Sequence, residues 1–216
     1  NATQYPTEII NTAKSHLNSV ERKSQEATVK VIHEDISAFG TGTYFTLKAH
    51  HIVITAAHVV IDKEKMIIQT PSGHQQYGRV IYRSDETVDI AVLAVSPIPN
   101  RAPIKLNSLK TKADLLGIPI IYSGFPNDHD LMLIRGTIAG FNAENQTLLA
   151  QSYAWMGASG SGVFDRKTGD FVGVLSAIDV GVAYFPQLIE TIVWVSPSWQ
   201  IDKKSLSNIL DDSKLP

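Results

Sequence analysis

The sequence contains no cysteine among its 216 residues. This absence excludes disulfide bonds, thiolate nucleophiles and cysteine-ligated metal sites. It leaves the redox compartment open, because a protein without cysteine is stable in oxidising and in reducing surroundings.

Strong net charge and long apolar runs are also lacking. The formal net charge is −2, so the chain has no basic surface typical of nucleic-acid binding, and we expect no nucleic-acid partner. The longest apolar stretch, residues 52–61, is interrupted by Thr55 and His58 and is too short to span a bilayer. We therefore expect no membrane span, and no signal peptide is visible at the start of the sequence.

Motifs for cofactors and metals are absent as well. The sequence has no phosphate-binding loop, no dinucleotide fingerprint and no H-E-x-x-H motif. The polar cluster NDHD at 127–130 could supply metal ligands, but a solvated loop between two strands is the favoured interpretation. We expect no cofactor and no metal.

Short β-branched and aromatic runs, separated by turn residues, fill most of the chain. Twelve runs at this spacing predict an all-β protein of antiparallel sandwiches or barrels rather than βαβ units. The runs are 27–32, 42–47, 51–57, 65–70, 78–83, 89–95, 118–124, 131–141, 147–152, 161–164, 171–177 and 191–196. The proline-rich stretch 96–103 is the predicted linker, and helical patterns occur at 7–19 and 200–210.

Three stretches place reactive side chains beside apolar strands. In ITAAHVV, His58 ends an apolar run, and in DETVDIAVLAV, Asp89 immediately precedes one. The third stretch, GASGSGVF at 157–164, carries two serines, although a simple glycine-rich turn is the alternative interpretation. The order His, Asp, Ser differs from the subtilisin and α/β-hydrolase orders and matches that of chymotrypsin.

These stretches resemble those of chymotrypsin-fold (trypsin-like) serine proteases, of the disulfide-free bacterial type similar to HtrA protease domains and glutamyl endopeptidases. The resemblance implies two antiparallel six-stranded β-barrels with an N-terminal helix and a short C-terminal helix. It implies a helical extension over 1–26 and a first barrel over 27–100 that carries the His and the Asp. A second barrel over 101–216 would carry the Ser and end in the helix.

The resemblance also assigns roles to individual residues. His58, Asp89 and Ser159 are the expected catalytic residues. Ser159 fits the nucleophile motif better than Ser161, because Gly157 stands two residues before it and a glycine follows it directly. The backbone N–H groups of Gly157 and Ser159 would form the oxyanion hole. Asp85, four residues before Asp89, is the rival carboxylate.

Two segments correspond to the family's substrate pocket. They supply the expected substrate-binding residues Tyr153, Ala154, Trp155, Ser176, Ala177 and Ile178. None of the six is acidic, so we expect small or medium apolar residues before the cleaved bond rather than Arg or Lys. Ala158 stands where trypsin-like zymogens carry the aspartate that pairs with a freed N-terminus. We therefore expect another means of ordering the oxyanion turn.

The function expected from this resemblance is that of a serine endopeptidase. It would hydrolyse peptide bonds of peptide or protein substrates through an acyl-enzyme. Two alternatives stay open at this point: a catalytically silent binding module with the protease fold, and an esterase that uses the same site. The compartment is not determined; the resemblance favours a secreted or cell-envelope protein over a cytoplasmic one.

Overall fold

The computed structural model describes residues 16–35, 38–84, 88–107, 115–182 and 185–212. Its helices and strands, numbered in chain order, are α1 (Ser19–Ala27), β1 (Thr28–Ile32), β2 (Phe39–Leu47), β3 (His50–Thr55), β4 (Lys65–Gln69), β5 (Gln75–Arg83), β6 (Ala91–Ala94), β7 (Ile104–Lys105), β8 (Pro119–Gly124), β9 (Met132–Asn142), β10 (Thr147–Gln151), β11 (Gly162–Asp165), β12 (Phe171–Val182), β13 (Pro186–Pro197) and α2 (Lys203–Asp212). In these described ranges, no helix combines the length and apolarity needed to cross a bilayer.

The first six strands form a closed barrel. Their order is β1-β4-β5-β6-β3-β2, and pairing of β1 with β2 closes the ring. Strand β7 then adds to β2 in parallel. The interior is filled by aliphatic side chains such as Val29, Val31, Val53 and Ile68, each fully buried. Closure pairs the strand edges that an open sheet would expose.

The second barrel is built from the strands after residue 118. Its order is β10-β13-β12-β11-β8-β9, and every neighbouring pair is antiparallel. Strand β11 pairs with β12 only as far as Val174, whereas β12 and β13 stay paired to Val182. The hairpin of β12 and β13 therefore extends past the edge of β11.

The predicted all-β fold with two six-stranded barrels and a helix towards each end is confirmed. Each of the twelve predicted runs overlaps one barrel strand, and the short strand β7 was not predicted. The C-terminal helix predicted at 200–210 lies at Lys203–Asp212. Most of the helix predicted at 7–19 lies outside the described residues, and 16–18 are not helical, so α1 begins where that prediction ends. The division into domains at residue 100 stays a prediction.

Aromatic packing joins the two barrels. The ring centroid of Phe45, in β2, lies 4.9 Å from that of Phe171 and 6.1 Å from that of Phe164, both in the second barrel. Leu206 and Leu210 of α2 are buried in the same cluster. Because this contact is apolar and shared, it holds the barrels together beside the crevice between them.

Helix α1 is fixed to the second barrel through one buried carboxylate. Asn18 and Glu21 form a capping box, in which each side chain accepts the other residue's backbone N–H. Glu21 has no exposed surface, and its Oε1 lies 2.7 Å from Arg135 Nε and 2.8 Å from Arg166 Nε. Burial by itself raises the pKa of the Glu21 carboxyl. The hydrogen bonds from both arginines and from Asn18 outweigh burial and lower this pKa from 4.5 to about 2.

The Glu21 contacts predict an acid-sensitive stability. Because the folded-state pKa is depressed, the stabilisation is complete above about pH 4.5 and is lost as the pH falls towards 2. We expect Glu21→Gln to lower the free energy of unfolding by about 2 kcal/mol at neutral pH, since two arginines lose a charged acceptor. It should also flatten the dependence of this free energy on pH across that interval.

Urea unfolding at a series of pH values measures both effects. Glu26→Gln is the matched control, because Glu26 lies on the same helix and is exposed. An equal pH dependence in wild type and Glu21→Gln would refute this account of α1.

Candidate active site

His58 and Asp89 meet in the crevice because their strands are neighbours. His58 lies in the short helical turn Ala57–Val60 after β3, and Asp89 lies two residues before β6, which pairs with β3. His58 Nδ1 lies 2.9 Å from Asp89 Oδ2 and 3.1 Å from Oδ1, and the backbone N–H of His58 donates to Oδ1 at 2.9 Å. The Asp89 carboxylate can only accept a hydrogen bond, so His58 Nδ1 must carry a hydrogen. In the neutral ring the lone pair is therefore on Nε2.

The environment of Asp89 keeps its carboxyl ionised. Its side chain is 18% exposed, and this burial by itself raises the pKa of Asp89. Hydrogen bonds from His58 and from the Ser176 hydroxyl outweigh burial, so the pKa is lowered overall. Asp89 has a φ of +49°, a left-handed conformation that Asp tolerates better than most residues. Asp85, the rival carboxylate, lies outside the described residues.

Ser159 lies on the facing edge of the second barrel. Its side chain is partly exposed, and its Oγ lies 3.5 Å from the carbonyl oxygen of Ser176, at the outer limit of a hydrogen bond. The turn that carries Ser159, residues 155–160 and here called the serine turn, lies against the turn Ala57–Val60 that carries His58. A Cβ on Gly40 would come within 2.6 Å of Val59 and 2.8 Å of the Ser159 carbonyl oxygen. Among the contacts of the described residues, no hydrogen bond joins His58 to Ser159.

Ser161 is placed differently from Ser159. It is fully buried, and its hydroxyl donates to the carbonyl oxygen of Ala158 at 2.7 Å. A buried hydroxyl with its proton already donated is a poor candidate for a nucleophile. This placement favours Ser159.

The turn around Ser159 requires glycine at two positions. Gly157 has a φ of +95°, and a Cβ there would lie 2.5 Å from the carbonyl oxygen of Phe125. Gly160 has a φ of +91°, and a Cβ there would lie 2.1 Å from the carbonyl oxygen of Thr41. In the part of the chain that the structure describes, the backbone N–H groups of Gly157 and Ser159 have no acceptor. Two such donors beside a serine suit a developing oxyanion.

The predicted substrate-binding residues fall into two groups. Ser176 and Ala177 line a cavity of about 680 Å³ together with His58 and Asp89. The remaining four are Tyr153, Ala154, Trp155 and Ile178, and they do not line this cavity. Residues 152–154 run along β13 instead, with Ser152 N–H donating to Thr191 and Ala154 N–H to Glu190.

Comparison with known proteins decides the family. Residues 40–174, more than half of the chain, match the family described as trypsin-like peptidase domain. The chain belongs to this family. No curated protein matches the chain.

Solved structures share the fold of this trypsin-like peptidase at low sequence identity. A serine endoprotease from Yersinia pestis superposes with a TM-score of 0.66 at 18% identity, over 89% of this chain and 66% of its own. The HtrA-type protease AlgW, solved with a tripeptide, gives a TM-score of 0.70 at 16% identity, over 88% and 62%. Rv3671c from M. tuberculosis H37Rv, a serine-to-alanine mutant in an inactive form, gives 0.67 at 17% identity, over 92% and 94%. The chain thus spans slightly less than two thirds of the first two proteins.

The family match and the double-barrel fold support the predicted serine endopeptidase. Sequence reasoning missed two features of this trypsin-like peptidase. Ser176 was predicted only as a substrate contact, but its hydroxyl also binds Asp89. The second feature is Thr41, whose hydroxyl donates to the carbonyl oxygen of Gly157, 116 positions away in the sequence. No local pattern around Thr41 indicates this contact.

Proposed function

We propose that this trypsin-like peptidase cleaves peptide bonds through an acyl-enzyme formed on Ser159. The observation that carries the proposal is one juxtaposition. A His58–Asp89 pair faces a glycine turn that offers a partly exposed serine hydroxyl and two backbone N–H groups without acceptors. Nucleophile, base and oxyanion donors are the parts that acyl transfer by a serine needs.

His58 acts as the base in this proposal. Asp89 occupies the Nδ1–H side of the ring, so the Nε2 lone pair can take the proton of Ser159. The gap between His58 and Ser159 would close when substrate binds, because catalytic hydrogen bonds are often loose without substrate. The ionised Asp89 then stabilises the imidazolium.

The bond changes follow from these roles. Ser159 Oγ bonds to the substrate carbonyl carbon while its proton passes to His58. The carbonyl oxygen takes up the negative charge beside the N–H groups of Gly157 and Ser159. His58 returns the proton to the leaving amine as the C–N bond breaks, and the acyl group stays on Ser159. Water, activated by His58 in the same way, releases the acid and restores the serine.

The substrate is a peptide or protein chain whose residue before the cleaved bond is apolar. None of the six residues expected to contact it is acidic. Arg or Lys would therefore lose hydration without gaining a counter-ion. The exposed Ala177, which lines the cavity beside His58, and the half-buried Ile178 offer apolar surface of modest size.

Ser159→Ala tests the nucleophile. We expect it to reduce hydrolysis of an unfolded fluorescent protein substrate by about 10³-fold or more, because no other group can form the acyl-enzyme. Ser161→Ala is the matched variant and should keep at least about a tenth of the activity, since the Ser161 N–H still bonds Ala158. Circular dichroism checks that both fold. Activity that survives Ser159→Ala and disappears in Ser161→Ala would reverse the assignment.

A peptide series tests the substrate class. In otherwise identical peptides, kcat/KM should be at least about tenfold higher with Ala, Val or Leu before the cleaved bond than with Arg. An Arg peptide cleaved as fast as the Leu peptide would overturn the proposed preference. Ester substrates cleaved while every peptide stays intact would favour the esterase, and no turnover of either would favour the binding module.

A further inference from the structure

The serine turn needs a structural support other than a buried charge. Ala158 lies inside the turn, is fully buried and carries no polar side-chain atom. No ion pair can therefore form at this residue. Because the turn has left-handed glycines and two unpaired N–H groups, competing conformations that pair those groups must be disfavoured by other contacts.

Hydrogen bonds to the carbonyl groups supply this support. Each carbonyl oxygen from Trp155 to Ser159 has a donor within the described chain. The donors are Ala158 N–H for residue 155, Asn127 N–H for 156, Thr41 hydroxyl for 157, Ser161 N–H and hydroxyl for 158, and Thr41 N–H for 159. Because a peptide group is planar, fixing a carbonyl fixes the direction of the N–H in the same group. The carbonyls of Met156 and Ala158 share peptide groups with the two unpaired N–H groups.

One side chain sits at the centre of these contacts. Thr41, in β2, is fully buried. Its hydroxyl oxygen lies 3.2 Å from the Phe125 N–H nitrogen and 2.7 Å from the Gly157 carbonyl oxygen. An amide can only donate and a carbonyl can only accept, so the hydroxyl proton must point to Gly157. The backbone N–H of Thr41 donates to the Ser159 carbonyl at 2.8 Å.

Thr41 also reaches the segment that holds the Met156–Gly157 peptide. Phe125 precedes the short turn Pro126–Asp128, whose Asn127 N–H donates to the Met156 carbonyl at 2.6 Å. Lys30 forms an ion pair with this turn, in which its Nζ lies 2.7 Å from Asp128 Oδ1. The hydroxyl of Thr41 thus bonds the Gly157–Ala158 peptide group directly. Through Phe125 it also holds the turn whose Asn127 N–H bonds the Met156–Gly157 peptide group.

We propose that Thr41 is a positioning residue, which keeps the oxyanion donors Gly157 N–H and Ser159 N–H directed at the substrate carbonyl. The effect of Thr41 on catalysis rests on the proposed function, whereas its effect on the conformation of the serine turn does not. Without the hydroxyl, Phe125 N–H and Gly157 C=O lose a buried partner, and the turn gains freedom to pair its own N–H groups.

Three variants test the proposal. Thr41→Val removes the hydroxyl with little change in shape, whereas Thr41→Ser keeps the hydroxyl and removes only the methyl group. Thr43→Val is the matched control, because Thr43 lies two residues along the same strand and its buried hydroxyl accepts the N–H of Gly162 instead. We expect Thr41→Val to lower kcat about 100-fold with KM within a few-fold, a loss comparable to that of one oxyanion donor. Thr41→Ser and Thr43→Val should stay within a few-fold of wild type.

Inhibitor binding separates positioning from a general loss of packing. A peptide aldehyde forms a tetrahedral adduct that needs the oxyanion donors, whereas the product peptide does not. Thr41→Val should weaken the aldehyde about 100-fold, in parallel with kcat, and leave product binding within a few-fold. Equal weakening of both ligands, or a Thr43→Val variant that loses as much kcat as Thr41→Val, would overturn the proposal.

A measurement that needs no turnover keeps this test distinct from that of the proposed function. Amide ¹⁵N spectra of the folded protein report the state of Gly157 and Ser159 directly. Their resonances should shift or broaden in Thr41→Val and should keep their wild-type positions in Thr41→Ser. Unchanged resonances in Thr41→Val would refute the role of Thr41, even if wild type proved inactive.

Discussion

The Asp89 carboxylate accepts hydrogen bonds from both barrels, and the geometry of the crevice depends on it. From the first barrel it receives the Nδ1–H and the backbone N–H of His58, and from the second it receives the Ser176 hydroxyl. Ser176 in turn places its carbonyl oxygen 3.5 Å from Ser159 Oγ. One charge therefore sets the tautomer of the histidine and ties the strand beside the serine to the histidine side. The bonds that lower its pKa also keep this charge in place at neutral pH.

In the serine turn, by contrast, two backbone N–H groups lack a hydrogen-bond acceptor among the described residues. Every carbonyl from Trp155 to Ser159 has a donor, whereas the N–H groups of Gly157 and Ser159 have no acceptor within the described chain. Unpaired donors cost free energy when they are withdrawn from water. The surrounding carbonyl contacts, centred on Thr41, offset this cost and hold the donors ready for a developing negative charge.

The fold could be predicted from the sequence to a large extent, because strand runs and turn residues are local signals. The positions of His58, Asp89 and Ser159 were predicted for the same reason, since each sits in a short recognisable stretch. Helix α1 was predicted too early in the chain, at 7–19, although Asn18 and Glu21 have capping-box spacing. The partners of Glu21, Arg135 and Arg166, lie more than 100 positions away and give no local signal. Thr41 and the hydroxyl of Ser176 could not be predicted, since their partners are distant in the chain and become neighbours only after both barrels close.

The central claim is that Ser159 is an activated nucleophile, and covalent labelling tests it most directly. A fluorophosphonate reacts with serines that a base has activated, and mass spectrometry of the digested adduct identifies the labelled residue. The account predicts one adduct per folded chain, on Ser159, and none on protein unfolded before the reagent is added. A folded chain that takes up no label, or that carries the label on Ser161, would contradict it.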